Sequence, residues 1–228
     1  MNLPNAITVG RIMLAPLIAA LPFMTSTVAR LAAFVIYIIA AVSDYFDGML
    51  ARTRNLVTDL GRLLDPLADK LLLFATLIPM YLLMSPETDR FAPSKASLET
   101  AHAFPFETPW GTVGLPWWIV AIVISRELIM TAFRHIAARR GVVIAAIGPA
   151  KLKTGFQSTW VGAAYFWFFA STLASTRGFQ SSGWQYFAWF NGIVGVVTMV
   201  VAVILTVYSL WLYFARYGRV LTGDARHL

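Results

Sequence analysis

The chain contains no cysteine in its 228 residues. Disulfides and thiolate metal centres are thereby excluded, and zinc loses its favoured ligand. Charge is scarce as well: Asp, Glu, Lys and Arg together make up 13% of the chain, against 58% hydrophobic residues. That balance describes a bilayer-embedded protein, and one membrane domain over residues 1–228 is the simplest account of it. There is no convincing internal repeat, no low-complexity tract, and no basic stripe interleaved with stacking aromatics. The formal net charge of +7 therefore does not indicate nucleic acid; it suits anionic lipid headgroups and phosphorylated substrates.

A bilayer crossing by a helix needs about 20 apolar residues, and six runs approach that length: Thr8 to Ser26, Leu31 to Leu50, Leu63 to Leu83, Pro116 to Ile136, Phe156 to Ala174 and Tyr186 to Tyr213. The expected architecture is an all-α, polytopic membrane protein of six transmembrane helices. The first run is read as a retained helix instead of a cleaved leader, because Arg11 stands inside it and Pro16 and Pro22 interrupt it. Placing both termini in the cytoplasm puts most basic residues on the inner side and leaves Arg30, Arg90, Lys95 and Arg177 outside. Residues 85–114 then form an outer loop with short interfacial structure near Trp110, and 216–228 a cytoplasmic tail. Trp117, Trp118, Trp184 and Trp189 flank apolar runs as interface anchors.

Against this apolar background, residues 44 to 69 carry Asp44, Asp47, Gly48, Ala51, Arg52, Gly61, Asp65 and Asp69, in the pattern D-x2-D-G-x2-A-R-x8-G-x3-D-x3-D. Ionisable groups inside membrane segments are costly and mark function by default. Positions 44, 47, 48 and 51 share one helical face, as do 65 and 69, so two consecutive helices joined near 53–60 bring four carboxylates together at the cytoplasmic end. Pairing with Arg52, Arg54, Arg62 and Lys70 is the plain alternative, but small Gly48 and Ala51 leave that face open to a ligand. Hard carboxylate oxygens without nearby histidine or cysteine favour Mg²⁺ or Mn²⁺. Two ions about 4 Å apart would clamp a pyrophosphate and orient an incoming hydroxyl.

This pattern resembles the signature of the CDP-alcohol phosphatidyltransferases at every defined position. The resemblance implies that Asp44, Asp47 and Asp65 hold two metals, and that Asp69 helps hold one while serving as general base. It also implies that Gly48, Arg52 and Thr58 contact the CDP moiety of CDP-diacylglycerol. Near the start, Pro4-Asn5 and Thr8 fit a helix cap, with Pro4 in the first turn. They are also similar to a family stretch lying near the nucleotide, which makes Asn5 and Thr8 further contacts. A homodimer in the bacterial inner membrane, with its site facing the cytoplasm, is what the family likeness implies.

A second group is basic. Ser125-Arg126-Glu127 with Arg134, and then Lys151 and Lys153 at the start of the next helix, approach the same end of the bundle. Arg126 lies too deep in its apolar run for topology alone, and Glu127 is placed to neutralise a neighbour. His102 and His135 receive no functional role. These stretches resemble the phosphatidylglycerophosphate synthase branch of the family, which implies that Arg126, Arg134, Lys151 and Lys153 hold the phosphate of sn-glycerol 3-phosphate. Two alternatives stay open at this stage. One is another acceptor, such as the phosphatidylglycerol used by cardiolipin synthases, which a CMP-release assay across acceptors separates. The other is a cation transporter or channel lined by the aspartates, which ion flux without lipid turnover would reveal.

Overall fold

The computed structural model describes residues 3–53, 59–85, 104–142, 144 and 148–218, with backbone alone for 3, 4, 45–53, 59, 60, 62 and 63. Among them are six helices: α1 (Leu3–Ala20), α2 (Thr27–Thr53), α3 (Asp59–Met84), α4 (Trp117–Arg139), α5 (Gly148–Arg177) and α6 (Ser182–Tyr217). Each of the six apolar runs falls on one of them. The stretches Asn5–Phe23, Thr27–Asp44, Leu64–Met84 and Ser182–Tyr217 are long and apolar enough to cross a membrane. The charges on α4, and the Trp, Tyr, Ser, Thr and Gly residues of α5, keep those two helices less apolar.

The core lies where α1, α2, α3 and α5 meet. There Trp160, Ala164, Tyr165 and Phe168 of α5 pack against Ile18, Ala33, Tyr37, Leu77 and Met80, all buried. Tyr165 joins three helices. Its hydroxyl lies 3.2 Å from the carbonyl of Ile18 and 3.1 Å from that of Ala75. Each of these carbonyls stands four residues before a proline, Pro22 and Pro79, whose ring nitrogen has no proton to close the helical bond. One phenol therefore serves two carbonyls that the prolines would leave open, inside a medium that offers no water in exchange. Tyr37 stacks on Tyr165 with centroids 5.6 Å apart and donates to the Ser158 carbonyl at 2.8 Å.

At the opposite end from the aspartates, Phe106–Thr108 and Gly111–Val113 form an antiparallel hairpin, with Phe106 facing Val113 and Trp110 exposed at the turn. Gly111 takes a positive φ of 128° there, a conformation glycine adopts without penalty. The hairpin seats directly on α6. A Cβ on Gly192 would stand 1.8 Å from the Glu107 carbonyl oxygen, and one on Gly195 would stand 2.3 Å from the Phe106 ring. Trp167 of α5 donates to the Pro105 carbonyl at 3.0 Å. Arg30, fully buried, donates to the Pro22 carbonyl at 3.1 Å and to Thr172, and lies over the Phe104 ring at 4.4 Å.

Candidate functional site

Helices α2 and α3 carry the aspartates as their spacing requires. Asp44 sits roughly 21 Å along α2 from Arg30, at 1.5 Å per residue, and Asp65 and Asp69 are one turn apart on the first half of α3. Between them stands Arg11 of α1, with only 3% of its side chain exposed, against 46% for Asp44 and 61% for Asp69. One of its terminal nitrogens contacts Asp44 and also reaches Asp69 at 3.3 Å. Two carboxylates from different helices thus share one cationic centre. Thr8, one turn earlier on α1, donates to Asp65 at 2.9 Å, and Asn5 is buried a further turn back.

This donor set fits a hard divalent ion in kind: carboxylate oxygens from two helices, partly open to solvent, already converge on a positive charge. Among the described residues, no three acidic or histidine side chains gather closely enough to hold an ion by themselves. The side chains of Asp47, Gly48 and Arg52 lie outside the described residues, although α2 runs through all three positions, and Thr58 lies outside them entirely.

A cavity of 200 Å³ opens beside the aspartates. Asp44 of α2 and Asp69 and Lys70 of α3 line it together with Glu127 of α4 and Lys153 and Gln157 of α5. Lys153 is buried and bound to Glu127, which also receives a hydrogen bond from Arg126 at 2.9 Å. Arg126, also buried, reaches Ser209 of α6 at 3.1 Å. Two cations thus share one carboxylate, leaving a single net positive charge on the trio. Arg134, His135 and Lys151 are exposed and do not line the cavity. An apolar groove of 420 Å³ between α2, α5 and α6 shares Tyr37, Ala41 and Ser158 with the polar cavity. Polar chemistry and an apolar channel thus meet at the same three residues.

Arg11 and Gln157 join the site without having been singled out from sequence. A usable signal for Arg11 was its position three residues after Thr8, on the same face of α1. Gln157 had one too, four residues after Lys153.

A sequence profile described as CDP-alcohol phosphatidyltransferase matches residues 1–208. The chain is 33% identical over 227 residues to a CDP-diacylglycerol–glycerol-3-phosphate 3-phosphatidyltransferase of Bacillus subtilis (strain 168), covering 94% of each protein. It is 30% identical over 213 residues to the enzyme of the same name from Rickettsia typhi (strain ATCC VR-144 / Wilmington), covering 93% of this chain and 95% of the relative. A probable phosphatidylglycerophosphate synthase of Mycobacterium tuberculosis (strain ATCC 25618 / H37Rv) is 31% identical over 164 residues, 71% of this chain and 64% of that one. With the aspartate-bearing helices, the cavity beside them and a profile match over most of its length, the chain belongs to the CDP-alcohol phosphatidyltransferase family.

Proposed function

We propose that this protein transfers the phosphatidyl group of CDP-diacylglycerol to sn-glycerol 3-phosphate, yielding phosphatidylglycerophosphate and CMP. The observation that carries the reading is the cavity lined by Asp44 and Asp69 together with Lys153. An acceptor whose phosphate rests on Lys153 presents its hydroxyl toward Asp69. The relatives from Bacillus subtilis and Rickettsia typhi bear names that state this same pair of substrates.

Asp69 takes the proton from the primary hydroxyl of the acceptor as that oxygen attacks the phosphorus nearest the diacylglycerol. The bond from this phosphorus to the oxygen bridging to CMP breaks, and CMP leaves with the bond's electrons. Asp44, Asp65 and Asp69, with Asp47 of the same motif, would hold Mg²⁺ or Mn²⁺, which would neutralise charge on the diphosphate and on the leaving phosphate. Thr8 keeps Asp65 oriented, and Arg11 holds Asp44 and Asp69 together until an ion takes its place between them. Asn5, Gly48, Arg52 and Thr58 belong with the CDP side of the site. Arg126 supports the acceptor side through Glu127. The apolar groove adjoining the cavity suits a substrate whose tail stays in the lipid. The site faces the cytoplasm in this reading, and the enzyme works as a homodimer.

Purified protein in detergent micelles with CDP-diacylglycerol and Mg²⁺ or Mn²⁺ tests the reading by CMP release with four acceptors: glycerol 3-phosphate, phosphatidylglycerol, inositol phosphate and serine. Glycerol 3-phosphate is expected to be preferred, and Asp69→Asn to lose turnover while retaining most CDP-diacylglycerol binding. Equal rates with phosphatidylglycerol would return the assignment to the family without its acceptor.

A further inference from the structure

Of the polar side chains that α5 gives to the cavity beyond Lys153, namely Thr154, Gln157 and Ser158, Gln157 is the one with a buried side-chain atom left open. Gln157 lies on α5 one turn beyond Lys153, with Val161 a turn further, and all three line the cavity. The face thus changes from cationic to neutral polar to apolar as it enters the bundle. The side-chain Oε1 of Gln157 is buried and has no hydrogen-bond partner among the described residues. Buried polar atoms are nearly always satisfied, and leaving one open costs more than its hydrogen bond returns. No described residue donates to it, and a turn of the amide about its side chain brings it to the cavity that Gln157 lines, where a bound group can satisfy it.

We propose that Gln157 is a specificity-determining residue that hydrogen-bonds the secondary, non-reacting hydroxyl of the acceptor and so selects a vicinal diol phosphate over a simple hydroxyalkyl phosphate. The inference rests on the acceptor reading of this cavity. Positions 153 and 157 are separated along the helix by about 6 Å, a step suited to a three-carbon phosphate ester with its phosphate on Lys153. The middle hydroxyl then falls beside Gln157, and the terminal one points toward Asp69. A hydroxyl both donates and accepts, so it pairs with either end of the amide. Val161 beyond it offers nothing polar, which limits how far a longer polyol can extend along this face.

The test compares kcat/KM, measured by CMP release, for glycerol 3-phosphate and for 3-hydroxypropyl phosphate, which keeps the phosphate and the primary hydroxyl but lacks the secondary one. The wild type is expected to prefer glycerol 3-phosphate by about tenfold or more, as sites built around a substrate hydroxyl do. In Gln157→Leu that ratio collapses toward one, chiefly through a loss with glycerol 3-phosphate. Gln157→Met, unbranched and of similar length, is expected to behave the same way and serves if the leucine variant does not fold. Retention of the wild-type ratio in a folded variant overturns the inference, as does an equal loss with both acceptors. A wild-type enzyme that releases CMP with neither phosphate ester refutes the acceptor assignment itself, and the role of Gln157 falls with it.

Discussion

Replacing Lys153 with alanine removes a cation that lines the cavity together with Asp69. Its partner Glu127 keeps the hydrogen bond from Arg126 at 2.9 Å, so the variant avoids the roughly 3–5 kcal/mol lost when a buried charge is left with no partner. Folding is expected to survive. A charge-assisted hydrogen bond is worth about 1.5–3 kcal/mol. At roughly 1.4 kcal/mol per decade, losing the one from Lys153 to the acceptor phosphate lowers kcat/KM for glycerol 3-phosphate by about 10- to 150-fold. The KM for CDP-diacylglycerol, measured at saturating acceptor, is expected to move far less, because Lys153 lines the cavity from α5 while the aspartates line it from α2 and α3. CMP release in micelles, with each substrate varied in turn, reads both effects. Arg139→Ala, an exposed change in the last turn of α4, is the matched control and is expected to stay within about twofold. Parallel losses for both substrates, or an Arg139→Ala effect as large as that of Lys153→Ala, would refute the acceptor role of Lys153.

Arg11→Ala uncouples Asp44 from Asp69; both carboxylates are partly exposed, so the cost in metal-free buffer is about 1 kcal/mol, a fall in Tm of about 2–4 °C. Added Mn²⁺ is expected to raise the Tm of this variant more than that of the wild type, and identical shifts would mean that guanidinium and ion do not compete for one place. Tyr165→Phe opens the Ile18 and Ala75 carbonyls together and is expected to cost about 1–3 kcal/mol, seen as a lower Tm in detergent; an unchanged Tm would show that neither carbonyl depends on the phenol.

Much of the fold was legible because membrane helices announce themselves by length and apolarity, and the aspartate spacing told which two helices bring carboxylates together. What escaped was whatever depends on a partner distant in sequence. Arg11 was counted only for topology, since nothing in the chain shows that α1 packs its sixth and ninth residues against α2 and α3. Eight residues overshoot two turns by about 80°, so Arg134 does not follow Arg126 into the bundle and is exposed. Glu127 was read as a possible neutraliser, but that it binds both Arg126 and Lys153 follows only from the packing of α4 on α6 and the place of α5. Tyr165 and Gln157 had no charge to mark them, and their roles rest on carbonyls and a cavity that appear only when the helices are assembled.

The hairpin seated on Gly192 and Gly195 has a mechanical consequence. With no room for even a methyl group beneath Glu107 and Phe106, α6 cannot slide or turn about its axis there without lifting the hairpin. Trp167 and Arg30 fasten α5 and α2 to the same region. The bundle is thus clamped at one end, so any opening of the helices would pivot there. A rotation of a degree or two at the pivot becomes its largest displacement at the far end, where the half-exposed aspartates and the cavity lie. Substrate entry and product exit can then be accommodated by splaying the free ends while the core around Trp160 and Phe168 stays packed.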